Sequence, residues 1–154
     1  MKAKLTARAR RPPRRPAMES GAGTAGPPRS AHVVLCEHGE KSAAGILVAL
    51  QFLGIEPVIC RDPRALIEEA VRRPPGVVIC DLGAGTREDL IVLELFRRAA
   101  PGVPLILVAS EGSLETRRLV LGLRPMYYMV GPVEAAELGE AVTAALARGE
   151  RARG

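Results

Sequence analysis

The sequence predicts an α/β fold in which a five-stranded parallel sheet is covered by helices on both faces. Short apolar runs without a polar break recur along the chain, as in strands buried on both sides. A segment with helical apolar spacing follows each run. The chain has 154 residues, 47% of them hydrophobic and none of them Trp. That is enough for one domain with a core of Leu, Val, Ile and Ala.

The predicted strands are the five apolar runs. They cover residues 33–36, 57–60, 77–82, 105–108 and 126–130. The third run is the most informative, because Val-Val-Ile-Cys is followed at once by Asp81 and a glycine-containing loop. An apolar run without a polar break is typical of a strand that is buried on both faces.

The predicted helices alternate with those strands. They cover residues 42–53, 62–71, 87–100, 114–123 and 134–148. The second has a defined start, since Asp62 followed by Pro63 is a typical N-cap and first-turn pair. Helical crossovers between short strands favour a parallel sheet, and the flavodoxin-like order 2-1-3-4-5 is common for five strands at this size. We expect residues 31–148 to form this domain and residues 149–154 to be disordered.

The basic charge of the chain is concentrated in its N-terminal 30 residues. Residues 1–30 carry eight Lys or Arg and one acid, whereas residues 31–154 carry 14 basic and 16 acidic residues. This Arg- and Pro-rich tail is predicted to be disordered. It could be an arm for nucleic acid or an anionic membrane, but no aromatic residues interleave with the arginines to stack on bases. A linker, or a true start at Met18, is the favoured interpretation.

No segment is apolar and long enough for a membrane span, and no signal peptide follows the basic N-terminus. We therefore expect a cytoplasmic protein. Cys36, Cys60 and Cys80 are widely spaced and lie in or beside apolar runs. Buried free thiols are expected there, and not disulfides or a metal site with paired spacings.

The candidate site lies at the carboxyl ends of the strands, where ligands collect in open α/β sheets. Asp81 ends strand three, and the neighbouring strand one ends at Glu37 and His38. Strands four and five add three further positions, namely Ala109, Ser110 and Gly131. Asp81 is a candidate functional acid, and capping of the following loop is the structural alternative.

Across residues 31–148 the chain resembles the receiver domain of two-component response regulators. The resemblance rests on the order and length of the elements, on the Val-Ile-Cys-Asp-Leu strand and on the Tyr-Tyr-Met-Val-Gly-Pro-Val-Glu stretch before the last helix. It implies that Asp81 occupies the phospho-acceptor position. It also implies a magnesium ion held by a pair of acids at the end of strand one, where this chain keeps Glu37 but has His38.

Three further positions of that family bear on the switch. A Thr or Ser that ends strand four would contact the phosphoryl group, but here it is Ala109, with Ser110 one residue late. A Lys on strand five would neutralise phosphoryl charge, but here it is Gly131. The aromatic switch residue three positions earlier is matched by Tyr128.

These losses predict a pseudo-receiver in which phosphorylation of Asp81 is lost or impaired. Phosphoryl transfer needs compensation of negative charge, and magnesium prefers carboxylate oxygens over imidazole. We expect no catalytic residues, no required cofactor, and at most weak magnesium binding by Glu37 and Asp81. The chain ends soon after the last helix, which predicts a stand-alone protein acting through a protein partner, such as a sensor kinase or a downstream effector, or through a homodimer.

Two alternatives stay open at this point. Asp81 could be a genuine phospho-acceptor with degenerate metal binding. The crevice could also bind a small ligand, since some cobalamin-binding domains share this fold and use a His after strand one. Their Asp-x-His-x-x-Gly pattern is broken around His38 by Cys36 and Lys41.

Overall fold

The computed structural model describes residues 32–37, 40–83, 87–109 and 114–153. The predicted tail (1–30), His38 and Ser110 lie outside the described residues. Strands and helices alternate throughout: β1 (Val33–Cys36), α1 (Glu40–Phe52), β2 (Val58–Cys60), α2 (Pro63–Arg72), β3 (Val77–Gly83), α3 (Arg87–Ala99), β4 (Leu105–Ala109), α4 (Leu114–Leu121), β5 (Tyr127–Val130) and α5 (Ala135–Arg153).

The five strands form one parallel sheet in the order β2-β1-β3-β4-β5, which confirms the predicted fold class. All four strand pairs are parallel. Every residue of β1 and β4 is buried, as expected for strands with helices on both sides. The outer strand β2 is more open, and Val58 and Ile59 are exposed.

Two apolar cores lie on opposite faces of the sheet, because successive strand side chains point in opposite directions. Alternate β-residues such as Leu35 and Ile79 pack with α1 and α5 on one face. The intervening residues, such as Val34 and Val78, pack with α2, α3 and α4 on the other. No helix in the described part of the chain is long and apolar enough to cross a membrane.

Helix α2 begins as the sequence predicts. The Asp62 side chain accepts a hydrogen bond from the Ala65 backbone N–H at 2.8 Å, and Pro63 occupies the first turn. This cap satisfies one of the donors that a helix start leaves without an internal partner.

Helix α5 is longer than the sequence indicates. It continues to Arg153, whereas its predicted end was residue 148 and residues 149–154 were expected to be disordered. Gly149 explains the difference, because it is buried and its backbone packs closely on the start of β3. A Cβ atom there would lie 3.0 Å from the Gly76 carbonyl oxygen and 3.8 Å from the Pro104 side chain. The glycine therefore permits a close approach within the helix instead of ending it.

Two glycines of α5 give opposite predictions for substitution by alanine. At Gly139 a Cβ would meet only the Leu53 Cδ1 atom, at 4.0 Å, so Gly139→Ala should stabilise the fold by up to about 1 kcal/mol through helix propensity. Gly149→Ala gains the same propensity, but its Cβ would crowd a backbone oxygen that cannot move away freely. We expect it to be less stable than Gly139→Ala by about 1 kcal/mol or more. Denaturant unfolding measures both, and equal stabilities would contradict the close packing.

Candidate functional site

The carboxyl edge of the sheet brings Glu37 and Asp81 next to each other. Cys36 of β1 pairs in register with Cys80 of β3, and each of these cysteines directly precedes one of the acids. Both acids are therefore at the same level on neighbouring strands. The Glu37 backbone N–H donates to the carbonyl of Cys60 at 2.9 Å, which fixes the end of β1 against β2. The structure thus brings together the two acids that the sequence placed at this edge.

Asp81 is almost completely buried, with 1% of its surface exposed. It lies in register with Val108 of β4, and the pairing shifts between Asp81 and Gly83. The irregularity ends the regular ladder directly after the acid. A buried carboxylate is costly unless its charge is compensated by nearby donors or cations. The chemistry of this edge therefore depends on what surrounds the two acids.

Arg61 supplies a cation to the first of these acids. Its Nη1 atom donates to Oε1 of Glu37 at 3.2 Å, and the Glu37 side chain is 9% exposed whereas that of Arg61 is 77% exposed. Arg61 directly follows β2 and therefore lies at the same carboxyl edge of the sheet. The carboxylate that would face a metal ion in a typical receiver thus already has a guanidinium partner from its own chain.

Ala109 and Gly131 are the positions at which the resemblance to receiver domains leads us to expect a hydroxyl and an ammonium group. Ala109 ends β4, is 1% exposed and has only a methyl group. Gly131 follows β5, and its backbone N–H donates to the Ala109 carbonyl at 2.7 Å. Neither residue offers a hydroxyl or an ammonium group. Ser110 and His38, the other two predicted site residues, lie outside the described residues, and their roles remain predictions.

Tyr128 points its ring inward. It packs against the core on the α3 and α4 face, the same core that contains Cys80, Leu107 and Ala109. Its hydroxyl oxygen is buried and makes no hydrogen bond to any described residue. Leaving a hydroxyl without a hydrogen bond costs about 1–3 kcal/mol. The aromatic residue is present at the predicted position, and no hydroxyl on Ala109 is available to bind it.

Among the described residues, Glu37 and Asp81 are the carboxylates at this edge that a magnesium ion could use. Magnesium demands octahedral oxygen coordination, normally through carboxylates and waters. Within the described ranges no cluster of three His, Cys, Asp or Glu is arranged to hold a metal ion. Of the two acids present, Glu37 is already ion-paired with Arg61. We therefore assign no step of the chemistry to a bound metal.

The three cysteines form a row beneath the two acids. Cys36 is in register with Cys60 on one side and with Cys80 on the other, and all three are buried free thiols. A hydrogen bond with the Cys36 thiol, together with burial, raises the pKa of Cys80. Burial and the neighbouring Cys36 raise the pKa of Cys60 to about 11. Neutral thiols are poor nucleophiles and poor metal ligands, so this row serves as core packing.

The raised pKa values of Cys60 and Cys80, together with the burial of all three thiols, predict slow chemical labelling. At pH 8 a thiol with a pKa of about 11 is ionised in only about one molecule in a thousand. We expect Ellman's reagent to leave the three thiols of the native protein unmodified on the timescale of minutes. The denatured chain should react at all three positions at once. A native thiol that reacts as fast as free cysteine would show that the row is accessible and activated.

The ion pair between Arg61 and Glu37 predicts how magnesium binding can be altered. Wild-type protein should bind magnesium more weakly than about 1 mM, because one of its two carboxylates is compensated. Arg61→Ala should strengthen binding by about three- to tenfold, a modest effect because the arginine is largely solvated. Titration calorimetry measures both.

Arg64→Ala is the matched control, since Arg64 is an exposed arginine three residues further on, in α2. It should leave magnesium affinity unchanged. A wild-type magnesium affinity well tighter than millimolar would contradict the expected weak binding.

Sequence reasoning did not identify Arg61 as part of the site. The signal was present, because the residue after each strand of a parallel sheet falls at the same edge, and Arg61 is the residue after β2. What the pattern could not give was the direction of its side chain toward Glu37. That contact depends on the backbone pairing of Glu37 with Cys60.

Comparison with solved structures places this backbone among receiver domains. A response-regulator receiver domain protein (CheY-like) from Methanospirillum hungatei JF-1 superimposes with a TM-score of 0.66 at 21% identity, covering 79% of this chain and 98% of that one. The receiver domain of an HD domain-containing protein from Pseudomonas fluorescens Pf-5 gives 0.70 at 18% identity, covering 80% and 99%. A response regulator from Thermotoga maritima gives 0.65 at 14% identity, covering 76% and 98%.

At these identities the similarity establishes the receiver fold. No family model matches the sequence, and no curated protein matches it either.

Proposed function

We propose that this protein is a receiver-like signalling module that acts by binding another protein, without needing phosphorylation of Asp81. The observation that carries the proposal is the charge pattern of the carboxyl edge. Ala109 and Gly131 provide neither hydroxyl nor cation beside Asp81, and among the described side chains the guanidinium of Arg61 binds Glu37. The receiver fold of the solved relatives supports the signalling role.

The physical argument begins with the transferred phosphoryl group. Its negative charge must be balanced by metal ions, ammonium groups or hydrogen-bond donors, since there is little other chemistry for the protein to perform. Side chains from β4 and β5 would supply that balance in an active receiver. Here Ala109 offers only a methyl group and Gly131 only a hydrogen atom, so neither side chain can balance the phosphoryl charge.

The same replacements remove the means of switching. A ligand shifts a conformational equilibrium only by its differential affinity for the two states. Ala109 has no hydroxyl that a phosphate could draw inward, and the Tyr128 ring already packs in the core with its hydroxyl buried. We infer that the surface made by α4, β5 and α5 stays in one conformation, ready to bind at all times.

That surface carries exposed apolar side chains together with charges of both signs. Its exposed apolar residues are Leu114, Leu119, Leu121, Tyr127 and Val130. Arg118 and Arg124 are exposed in α4 and the turn after it, whereas α5 adds the exposed acids Glu137 and Glu140. The apolar groups suit a partner with an apolar patch, and the charges around them would fix its orientation. A sensor kinase, a downstream effector and a second copy of this chain are the classes to distinguish by experiment.

The first test is phosphorylation with a small donor. In an active site, an Asp81 carboxylate oxygen would attack the phosphorus of acetyl phosphate and acetate would leave. We expect intact mass spectrometry to find the wild-type chain unmodified after incubation with acetyl phosphate and magnesium. Stoichiometric modification that Asp81→Asn abolishes would show a genuine phospho-acceptor and contradict the proposal.

A restoring variant makes this first test stronger. A Cβ at Gly131 would lie 3.6 Å from the Ala109 carbonyl oxygen, an ordinary contact, so Gly131→Lys fits the backbone. Combined with Ala109→Ser it returns an ammonium and a hydroxyl to the site. We expect this double variant to be modified at least about tenfold faster than wild type, because one charged contact is worth about 1.5–3 kcal/mol. No gain in modification would show that these two positions do not limit the chemistry.

The second test compares partners captured by variants. Asp81→Asn keeps the size of the side chain and removes its charge and acceptor chemistry. We expect it to retain the same partner as wild type in affinity capture with quantitative mass spectrometry. Leu121→Gln, on the α4 end of the proposed surface, should lose that partner.

Leu95→Gln is the matched control for the second test, because Leu95 is similarly exposed but lies on α3, away from this surface. It should capture the partner as wild type does. Loss of the partner in Asp81→Asn alone, with the fold intact, would mean that the site is chemically active.

A further inference from the structure

A cavity at the opposite edge of the sheet from Asp81 is lined by three arginines. It has a volume of about 370 Å³ and lies where the α3–β4 loop, the α4–β5 turn and the C-terminal part of α5 meet. Its lining includes Arg97, Pro104, Arg124, Pro125, Met126 and Arg148. None of them is acidic. The cavity is therefore concave, partly apolar and positively charged.

Arg97 holds two walls of the cavity together. Its Nε atom donates to the Leu123 carbonyl at 3.0 Å, and its Nη2 atom donates to the Arg124 carbonyl at 2.7 Å. Its Nη1 atom donates to the Val103 carbonyl at 2.6 Å. These bonds connect the end of α4 with the loop before β4. Arg97 is thus a structural residue whose positive charge remains in the cavity wall.

Arg124 and Arg148 add further positive charge to the cavity. Among the described residues, neither forms an ion pair. Along α5, the residues three and four positions from Arg148 are Ala or Arg, so no acid faces it on its own helix. Burial, and then the nearby Arg124 and Arg148, lower the pKa of Arg97. Three guanidinium groups thus repel one another around one cavity.

The backbone at Arg124 adds an independent observation. Its φ is 51°, in the left-handed region that glycine or asparagine normally occupies after a helix. An arginine in that conformation costs about 1 kcal/mol or more. Gly122 lies two residues earlier, but the positive φ falls on Arg124 and not on this glycine. Such strain persists where the surrounding structure fixes it, as the Arg97 bond to the Arg124 carbonyl does here, and it clusters at functional sites.

We propose that this cavity binds a small organic ligand that carries a phosphate or diphosphate group. Arg124 and Arg148 bind the anion, and Arg97 fixes the two walls and adds its field. The apolar lining, mainly Pro104, Pro125 and Met126, contacts the organic part of the ligand. Guanidinium groups suit phosphate because they present paired N–H donors.

The shape of the site favours a small molecule over a nucleic acid or an acidic peptide. A volume of about 370 Å³ falls within the usual range of small-ligand sites, roughly 300–1,000 Å³. The arginines surround a concavity instead of forming a stripe along a helix, which a polymer backbone would follow.

The probes are sodium pyrophosphate and ADP, titrated into the full-length protein by calorimetry. We expect both to bind with a dissociation constant below about 1 mM, and ADP more tightly because of its organic part. Sodium chloride at matched ionic strength corrects for the general attraction of a chain with 22 Lys and Arg. A signal that chloride reproduces would overturn the proposal.

Three variants locate the binding. Arg148→Ala should weaken pyrophosphate binding about tenfold, because one charge-assisted contact is lost. Arg64→Ala, which changes an exposed arginine on α2 that is outside the lining, should change it less than about twofold. Equal effects of these two substitutions would overturn the site.

Arg124→Gly separates binding from folding. It should weaken pyrophosphate binding about tenfold and leave the melting temperature unchanged or higher, since glycine accepts the positive φ without strain. A variant that is destabilised but still binds pyrophosphate as wild type does would show that Arg124 has a structural role only.

Discussion

The register of β1 against β3 is the constraint on which the rest of the carboxyl edge depends. Both strands are buried on both faces, so their backbone groups must be satisfied by ladders with the neighbouring strands, and the β1–β3 ladder is common to both. A slip of one residue would turn every apolar side chain to the other face. With Cys36 opposite Cys80, Glu37 and Asp81 must end at the same level. The proximity of the two acids is thus a consequence of core packing.

In the function that we propose, the charges around those acids are what distinguishes this site from one built for phosphate. Bringing a second negative group to Asp81 requires positive charge nearby, and among the described side chains the guanidinium of Arg61 binds Glu37. The charge of the Glu37 carboxylate is therefore already compensated within the chain, so an external cation would gain less binding free energy there. The same backbone that supports phosphorylation in receivers is compatible with a static role here, because function depends on the side chains at the site and not on the fold.

The two edges of the sheet carry opposite electrostatic characters. Acids collect at the carboxyl ends of β1 and β3, whereas arginines surround the cavity at the start of β4 and β5. Arg97 connects the arginine cavity with the end of α4, which also borders the proposed protein-binding surface. Both sites therefore border the α4–β5 turn. A ligand in the cavity would contact Arg124, whose carbonyl is already held by Arg97.

The sequence by itself determined the order of elements, the parallel sheet and the placement of Asp81, because apolar periodicity and buried strands depend on local pattern. It also determined the cap at Asp62, which is local chemistry. The tertiary structure decided three other features: the Arg61 contact with Glu37, the convergence of Arg97, Arg124 and Arg148, and the continuation of α5 through Gly149. Each of these joins residues that are distant in sequence or depends on a close backbone approach. Such contacts are fixed by packing, which periodicity does not encode.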